Sequence, residues 1–297
     1  MIDQRQTNLL RRLLSANGGP ISQLALAEDA GINPQDLQPL LASLEADGFA
    51  FDRIGTGLRL VAEPDAIRPQ SVLARLETES IGRRIYVFRE TGSTNDLARR
   101  AGLGGEEEGV TFFAERQTAG RGTQGRNWVS GANQGLWCSI LLHSQLPLDR
   151  LPVLVQMAAL AAAEAAERWV DQAIAIKPPN DLMLAGGKVA GFLLETSNAW
   201  QFQVLGIGIN VRSAPEIEGY PTAALEQFSS GGSIPLADLA AQLLNRFEEW
   251  YLRMPPEFLD QAFAKRTANL TSMEIAHPRT EGNCLSASDS RHSGLKQ

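Results

Sequence analysis

The chain has 297 residues, 43% hydrophobic and 21% charged, with a formal net charge of -7 and a mean hydropathy of -0.15. That is ordinary globular composition, enough for one large domain and smaller ones. The acidic balance, with a pI near 5.2, excludes the basic field that tight non-specific nucleic-acid binding needs.

Residues 1–12 lack the apolar core of a signal peptide. Cys138 and Cys284 read as free thiols of a reducing compartment. The most apolar helical stretch, 151–166, is short and flanked by charge, so no membrane span is expected. Together these predict a cytoplasmic prokaryotic protein.

Residues 1–62 read as a small helical unit. Leu9, Leu10, Leu13 and Leu14 make one apolar face. Ser22 caps a second helix and Asn33 a third, which runs from Pro34 to near Asp47. Residues 49–61 then alternate around Gly55 and Gly57 like a hairpin. Helix, turn, helix, hairpin is the outline of a winged helix-turn-helix. Residues 21–52 contain no Lys or Arg, but six acids: Glu28, Asp29, Asp36, Glu45, Asp47 and Asp52. Phosphate contacts come mainly from cations and helix-start amides, so a structural wing is favoured over DNA binding.

Residues 63–82 read as a linker with a helical piece at 70–79, and a main domain follows at 83–266. A strand at 85–88 runs into Ser93, Thr94 and Asn95, which open a helix to Ala101; such a turn is either a simple cap or a polar-ligand site. Apolar runs at 110–114 and 136–142 are strands, and the loop between them places three glycines and two arginines from Gly120 to Arg126. Glycines there let a ligand approach the backbone, and arginines fork onto phosphate or carboxylate oxygens; a mobile solvated loop is the alternative.

A long alanine-rich helix is expected at 149–170, and strands at 173–177, 189–195 and 202–211. Between the first two lie the Asn180 and Asp181 turn, the hairpin glycines Gly186 and Gly187, and Lys188. Gly206 and Gly208, spaced by two, leave one strand face bare for a flat ligand or a bulge. Helices are expected at 235–254 and 257–265, and residues 267–297 show no helical or strand pattern.

Arg121, Arg126 and Lys188 offer positive charge, Asp181 and Asn180 offer oxygens for magnesium, and Gln117 offers an amide. The histidines are His143, His277 and His292, none in a triad pattern. What remains is catalysis by positioning and charge stabilisation.

At these residues the sequence closely resembles the bacterial biotin protein ligase family, of the bifunctional type with an N-terminal winged helix. The resemblance spans about residues 1–266 and rests on five ordered motifs. They are Ser93, Thr94 and Asn95; the Gly/Arg loop from Gln117 to Trp128; Lys177 through Leu182; Lys188 through Gly191; and Gly206 through Asn210. It implies an α+β fold: a central mixed β-sheet catalytic domain of the class II aminoacyl-tRNA synthetase and biotin ligase type. An N-terminal winged helix precedes it, and residues 267–297 would be an incomplete SH3-like domain or a disordered tail.

The implied reaction forms biotinyl-5′-AMP from biotin and MgATP, then transfers biotin to a lysine of the biotin carboxyl carrier protein of acetyl-CoA carboxylase. By matching position, Ser93, Thr94, Asn95, Gln117, Gly120, Arg121, Gly122, Thr123, Lys188, Gly191, Gly206 and Gly208 would bind biotin. Arg121, Arg126, Trp128, Asn180, Asp181, Lys188 and Asn210 would bind ATP. Lys188 and Arg121 would be catalytic, and Asp181 with Asn180 would meet magnesium.

The Gly/Arg loop then becomes a lid over biotin and the adenylate, expected to order on ligand arrival. Thr123 stands where the family often has Arg, and Pro178 where it has Trp. A biotin-responsive DNA-binding repressor, a lipoate or octanoate ligase of the same fold and an inactive paralogue are the competing readings. A homodimer stays open.

Overall fold

The computed structural model describes residues 3–197 and 201–276. Its N-terminal unit holds α1 (Gln4–Ser15), α2 (Gln23–Asp29), a 3₁₀ turn at Pro34–Asp36 and α3 (Leu37–Ala46). A three-stranded antiparallel sheet of β1 (Ile21–Ser22), β2 (Ala50–Ile54) and β3 (Gly57–Ala62), in the order β1-β3-β2, completes it. Caps form where the residue types placed them: Ser22 accepts from the Ala25 amide and Asn33 from the Gln35 amide. Leu9, Leu10, Leu26, Leu41, Leu44 and Leu58 are fully buried in this unit's own core. The pairing of Ile21 with Leu58 was not legible, because two residues carry no alternation.

The segment at 63–82 is not a loose linker. Ile67, Val72, Leu73, Leu76 and Ile81 are buried in the main core. Its helix, α4, spans only Pro69–Leu73 instead of 70–79. The reason lies in where the later amides go. Glu77 N donates to Asn245 Oδ1 at 2.9 Å. Glu79 N, Ser80 N and Ile81 N all donate to the Glu248 carboxylate at 2.6–2.8 Å. Amides held by side chains cannot also continue a helical ladder.

The main sheet has seven strands: β4 (Ile85–Thr91), β5 (Thr111–Gln117), β6 (Gly135–Leu142), β7 (Ala175–Lys177), β8 (Asp181–Leu184), β9 (Gly187–Thr196) and β10 (Gln203–Asn210). Their order is β4-β5-β6-β10-β9-β8-β7. β4 and β5 run parallel and every other pair is antiparallel, so the α+β class with a central mixed sheet holds.

One face is covered by α6 (Pro152–Ala166) and α7 (Leu236–Glu248). The alanines of α6, such as Ala158, Ala161 and Ala165, are fully buried and let it lie close to its neighbours. α5 (Thr94–Leu103) packs the opposite face, with Ala98 against Val110, Leu141, Phe202 and Val204. α7 ends in a π-helical turn at Glu249–Arg253.

The last element, α8, spans Pro256–Ala276. The expected end of regular structure near residue 266 is therefore too early. No Gly or Pro follows Pro256 before Pro278, so nothing local stops the helix. The expected SH3-like remnant beyond it, with His277, Cys284 and His292, lies outside the described residues. Among the described residues, no helix is long and apolar enough to cross a membrane.

Candidate active site

Strand alternation builds the floor of the site. Along β10, Leu205, Ile207 and Ile209 belong to the core under α6 and α7, while Gly206, Gly208 and Asn210 lie on the opposite face. Gly191 of β9 stands in register beside Gly208. A cavity of about 490 Å³ opens over this face, within the range of small-molecule sites.

The bare strand positions are needed because side chains from elsewhere rest on them. A Cβ on Gly208 would lie 2.5 Å from Trp128 Nε1, and one on Gly191 would lie 3.0 Å from the same indole. A Cβ on Gly206 would lie 2.3 Å from Asn95 Oδ1. The flat group on the glycine floor is thus Trp128 itself, brought over by the Gly/Arg loop.

At the other end a buried polar network fixes the Ser/Thr/Asn turn. Gln117 Oε1 accepts from Thr94 N at 2.8 Å and from Thr94 Oγ1 at 3.1 Å, and Gln117 Nε2 donates to Ser130 Oγ at 2.8 Å. Ser139, fully buried in the middle of β6, donates to Asn95 Oδ1 at 2.5 Å. Asn95 Nδ2 donates to Glu195 Oε2 at 2.7 Å. Ser93, Thr94 and Asn95 all line the cavity and are nearly fully buried.

Three cations line the cavity, Lys188, Arg121 and Arg126, and the first two are paired with carboxylates. Lys188 Nζ lies 2.6 Å from Asp181 Oδ1, and 5.2 Å from the centroid of the Trp128 ring. Arg121 makes a two-pronged pair with Asp96, at 2.9 and 2.8 Å, and reaches Glu195 at 3.4 Å. The hydrogen bonds from Arg121, against the opposing effect of burial, hold the Asp96 carboxyl below its ordinary value. Arg121 is pushed up in turn.

Among the described residues, two buried polar atoms on the lining side chains have no hydrogen-bond partner: Asn210 Oδ1 and Trp128 Nε1. An unmet acceptor and an unmet donor at a ligand cavity are groups that a ligand can satisfy.

Most sequence-predicted residues meet here. Ser93, Thr94, Asn95, Gln117, Arg121, Gly122 and Thr123 line the cavity, as do Arg126, Trp128, Asn180, Lys188, Gly191, Gly206, Gly208 and Asn210. Two do not. Gly120 sits behind the wall, where a Cβ would lie 2.4 Å from the Trp128 carbonyl oxygen; its role is to let the loop fold back on itself.

Asp181 is buried behind Lys188, and its second oxygen accepts from Tyr220 Oη at 2.7 Å. With both Asp181 oxygens held by Lys188 and Tyr220, the carboxylate does not fit a resident magnesium site. Among the described residues, no three acid, histidine or cysteine side chains gather as a metal shell.

Tyr220, Ser139, Asp96 and Glu195 escaped sequence reasoning. Burial first, then the bond to Asp181, pushes the Tyr220 hydroxyl up to about 12. Ser139 did carry a signal, since it is a lone polar residue in the apolar strand β6, whereas Glu195 sits beside Thr196 at the polar end of β9. Tyr220 sits in an irregular segment without one.

The residues that build this cavity's polar turn, Gly/Arg loop and glycine floor fall within 87–211, which a model of the Biotin/lipoate A/B protein ligase family matches, and this sets the class as a ligase. The biotin–[acetyl-CoA-carboxylase] ligase of Paracoccus denitrificans is 33% identical over 205 residues, covering 64% of this chain and 75% of that protein. The bifunctional ligase/repressor BirA of Bacillus subtilis is 27% identical over 253 residues, covering 82% and 77%. The crystal structure of the Aquifex aeolicus biotin protein ligase with biotin and ATP superposes with a TM-score of 0.52 at 27% identity, over 63% of this chain and 77% of that one. The chain belongs to the biotin protein ligase family.

Proposed function

We propose that this protein joins biotin to a carrier protein at the expense of ATP, through biotinyl-5′-AMP. The observation that carries this reading is the convergence of Arg121 and Lys188 on a cavity that also offers Asn210 Oδ1 and Trp128 Nε1 without partners. Biotin would lie toward Ser93, Thr94 and Gln117, and the nucleotide toward Trp128 and Asn210.

In the first step a biotin carboxylate oxygen attacks the α-phosphorus, and the bond to the β-phosphate oxygen breaks to release pyrophosphate. Both reactants are anions, so the barrier is dominated by repulsion and by growing charge on phosphorus. Lys188 and Arg121 are placed to offset it, and Lys188 is held for that task by Asp181 on one side and the Trp128 face on the other. In the second step a carrier lysine amine attacks the acyl carbon, AMP departs and the amine loses a proton. Magnesium enters with ATP as part of the substrate.

We read 3–62 as a winged helix-turn-helix with a structural role. The exposed positions of α3 include Gln38, Pro39, Ala42, Ser43 and Glu45, with no cation. The arginines of the unit are engaged: Arg5 with Asp3, Arg12 with Asp29, Arg53 with Glu45, Arg59 with Asp52, and Arg11 with the Leu73 carbonyl. A repressor needs free cations for phosphates.

The test incubates the protein with biotin, MgATP and an acceptor carrier domain. Streptavidin-reactive carrier supports the reading; a carrier modified only when lipoate or octanoate replaces biotin moves the assignment to the sister activity.

A further inference from the structure

The ends of the Gly/Arg loop are tied down by backbone bonds. Thr118 N and Ala119 N donate to the Thr91 and Gly92 carbonyls, and Gln117 N to that of Ser130. The middle is held differently. Gly122 N bonds Arg126 O, and the Arg126 side chain bonds Thr123, so these contacts stay within the loop. Arg121 alone among the loop's arginines reaches out, to Asp96 in the first turn of α5 and to Glu195 on β9.

Two carboxylates from separate elements therefore converge on one guanidinium. Neither carboxylate is part of the cavity lining, which carries Arg121, Arg126 and Lys188, so the pair holds Arg121 without occupying the substrate space. The contacts occupy one Nη1 hydrogen and both Nη2 hydrogens, three of the five N–H donors of the guanidinium. The remaining Nη1 hydrogen and the Nε hydrogen stay available. Glu195 also holds Asn95, so the clasp and the Ser/Thr/Asn turn share one carboxylate.

We propose that Asp96 and Glu195 are positioning residues that seat Arg121, and through it the middle of the lid loop, ahead of substrate. The substrate oxygens then take the two donors that the clasp leaves. This rests on the ligase reading only for what the loop covers; the seating itself is made by the chain's own groups.

Trypsin cleavage after Arg126, a loop residue outside the clasp, reports the seating. In the absence of biotin and ATP, the double variant Asp96→Asn, Glu195→Gln should be cut there about two- to fivefold faster than the native chain, the factor that a half-exposed ion pair supports. Asp96→Glu should restore slow cleavage. Equal rates in native and double-variant proteins would overturn the proposal, and so would a double variant with a lowered melting temperature but unchanged cleavage after Arg126, which marks Asp96 as a mere helix-start charge. A second arm adds biotin and ATP. If the ligand-free difference holds but neither form is protected by them, the clasp stands and the ligase reading fails.

Discussion

Asp181 shows how far residue type and order carry, and where they stop. A carboxylate beside an asparagine in a turn reads as an oxygen pair for magnesium; the fold turns it inward onto Lys188 and Tyr220. Which partner a carboxylate finds depends on the register of β8 against β9, and that is not written locally. The glycines were more legible, because a two-residue spacing on a strand must point one way. Their occupant was not, since it arrives from a loop some 80 residues earlier.

Three outcomes follow at this scale. Lys188→Ala or Arg121→Ala should lower the rate of adenylate formation by about 10²–10³, the usual effect of removing one charge-stabilising group, read as pyrophosphate release. Gly208→Val should weaken ATP binding far more than biotin binding, because its Cβ displaces Trp128; equal losses in titration calorimetry would contradict that. Thr123 leaves the lid one cation short of the family pattern, so biotinyl-5′-AMP should dissociate faster from the native chain than from Thr123→Arg, and matching rates would refute it.

Among the elements, the strap at 63–82 departs furthest from its sequence reading. Its sequence reads as a linker, whereas its apolar side chains enter the main core and its later amides are held by Glu248, more than 160 residues away. Burial works against the Glu248 charge, but the amides of Ile81, Ser80 and Glu79 outweigh it and hold the carboxyl below its ordinary value. A depressed folded-state value means the contribution is complete above the unfolded carboxyl's range, near 4.5, and fades as pH falls through the lower folded value.

Glu248→Gln places a donor group among four donors, the amides of Glu79, Ser80 and Ile81 and the Ser80 hydroxyl. It should cost about 2–3 kcal/mol, or roughly 5–10 °C in melting temperature at neutral pH. The gap to the native chain should narrow as pH falls from about 4.5 through the lower folded value. A gap that does not change with pH would show that packing, not charge, holds the strap. Most helices, by contrast, were readable from caps and periodicity, but α4 stops at Leu73, short of the expected 79, and α8 continues past the point where apolar spacing fades.

At the scale of the whole molecule, the acidic composition already argued against a nucleic-acid protein, and the structure adds that the N-terminal arginines are engaged within their own neighbourhood. A gel shift at low salt should therefore show no specific complex with operator-like DNA; a salt-sensitive shifted band would assign the unit a repressor's role. The expected division into a small helical unit and a sheet domain rests on turn residues and alternation in the sequence. The burial of Ile67 and Ile81 in the main core could not be read there, because they look like any short apolar pair.

The central claim is that the cavity over Gly191, Gly206 and Gly208 activates biotin with ATP for transfer to protein. Its most direct measurement is the incubation of the full chain with biotin, MgATP and an acceptor carrier domain, followed by mass spectrometry of the carrier. The carrier should become one biotinyl group heavier on a single lysine, dependent on ATP and lost in Lys188→Ala. An unmodified carrier, or modification that survives that substitution, would contradict it.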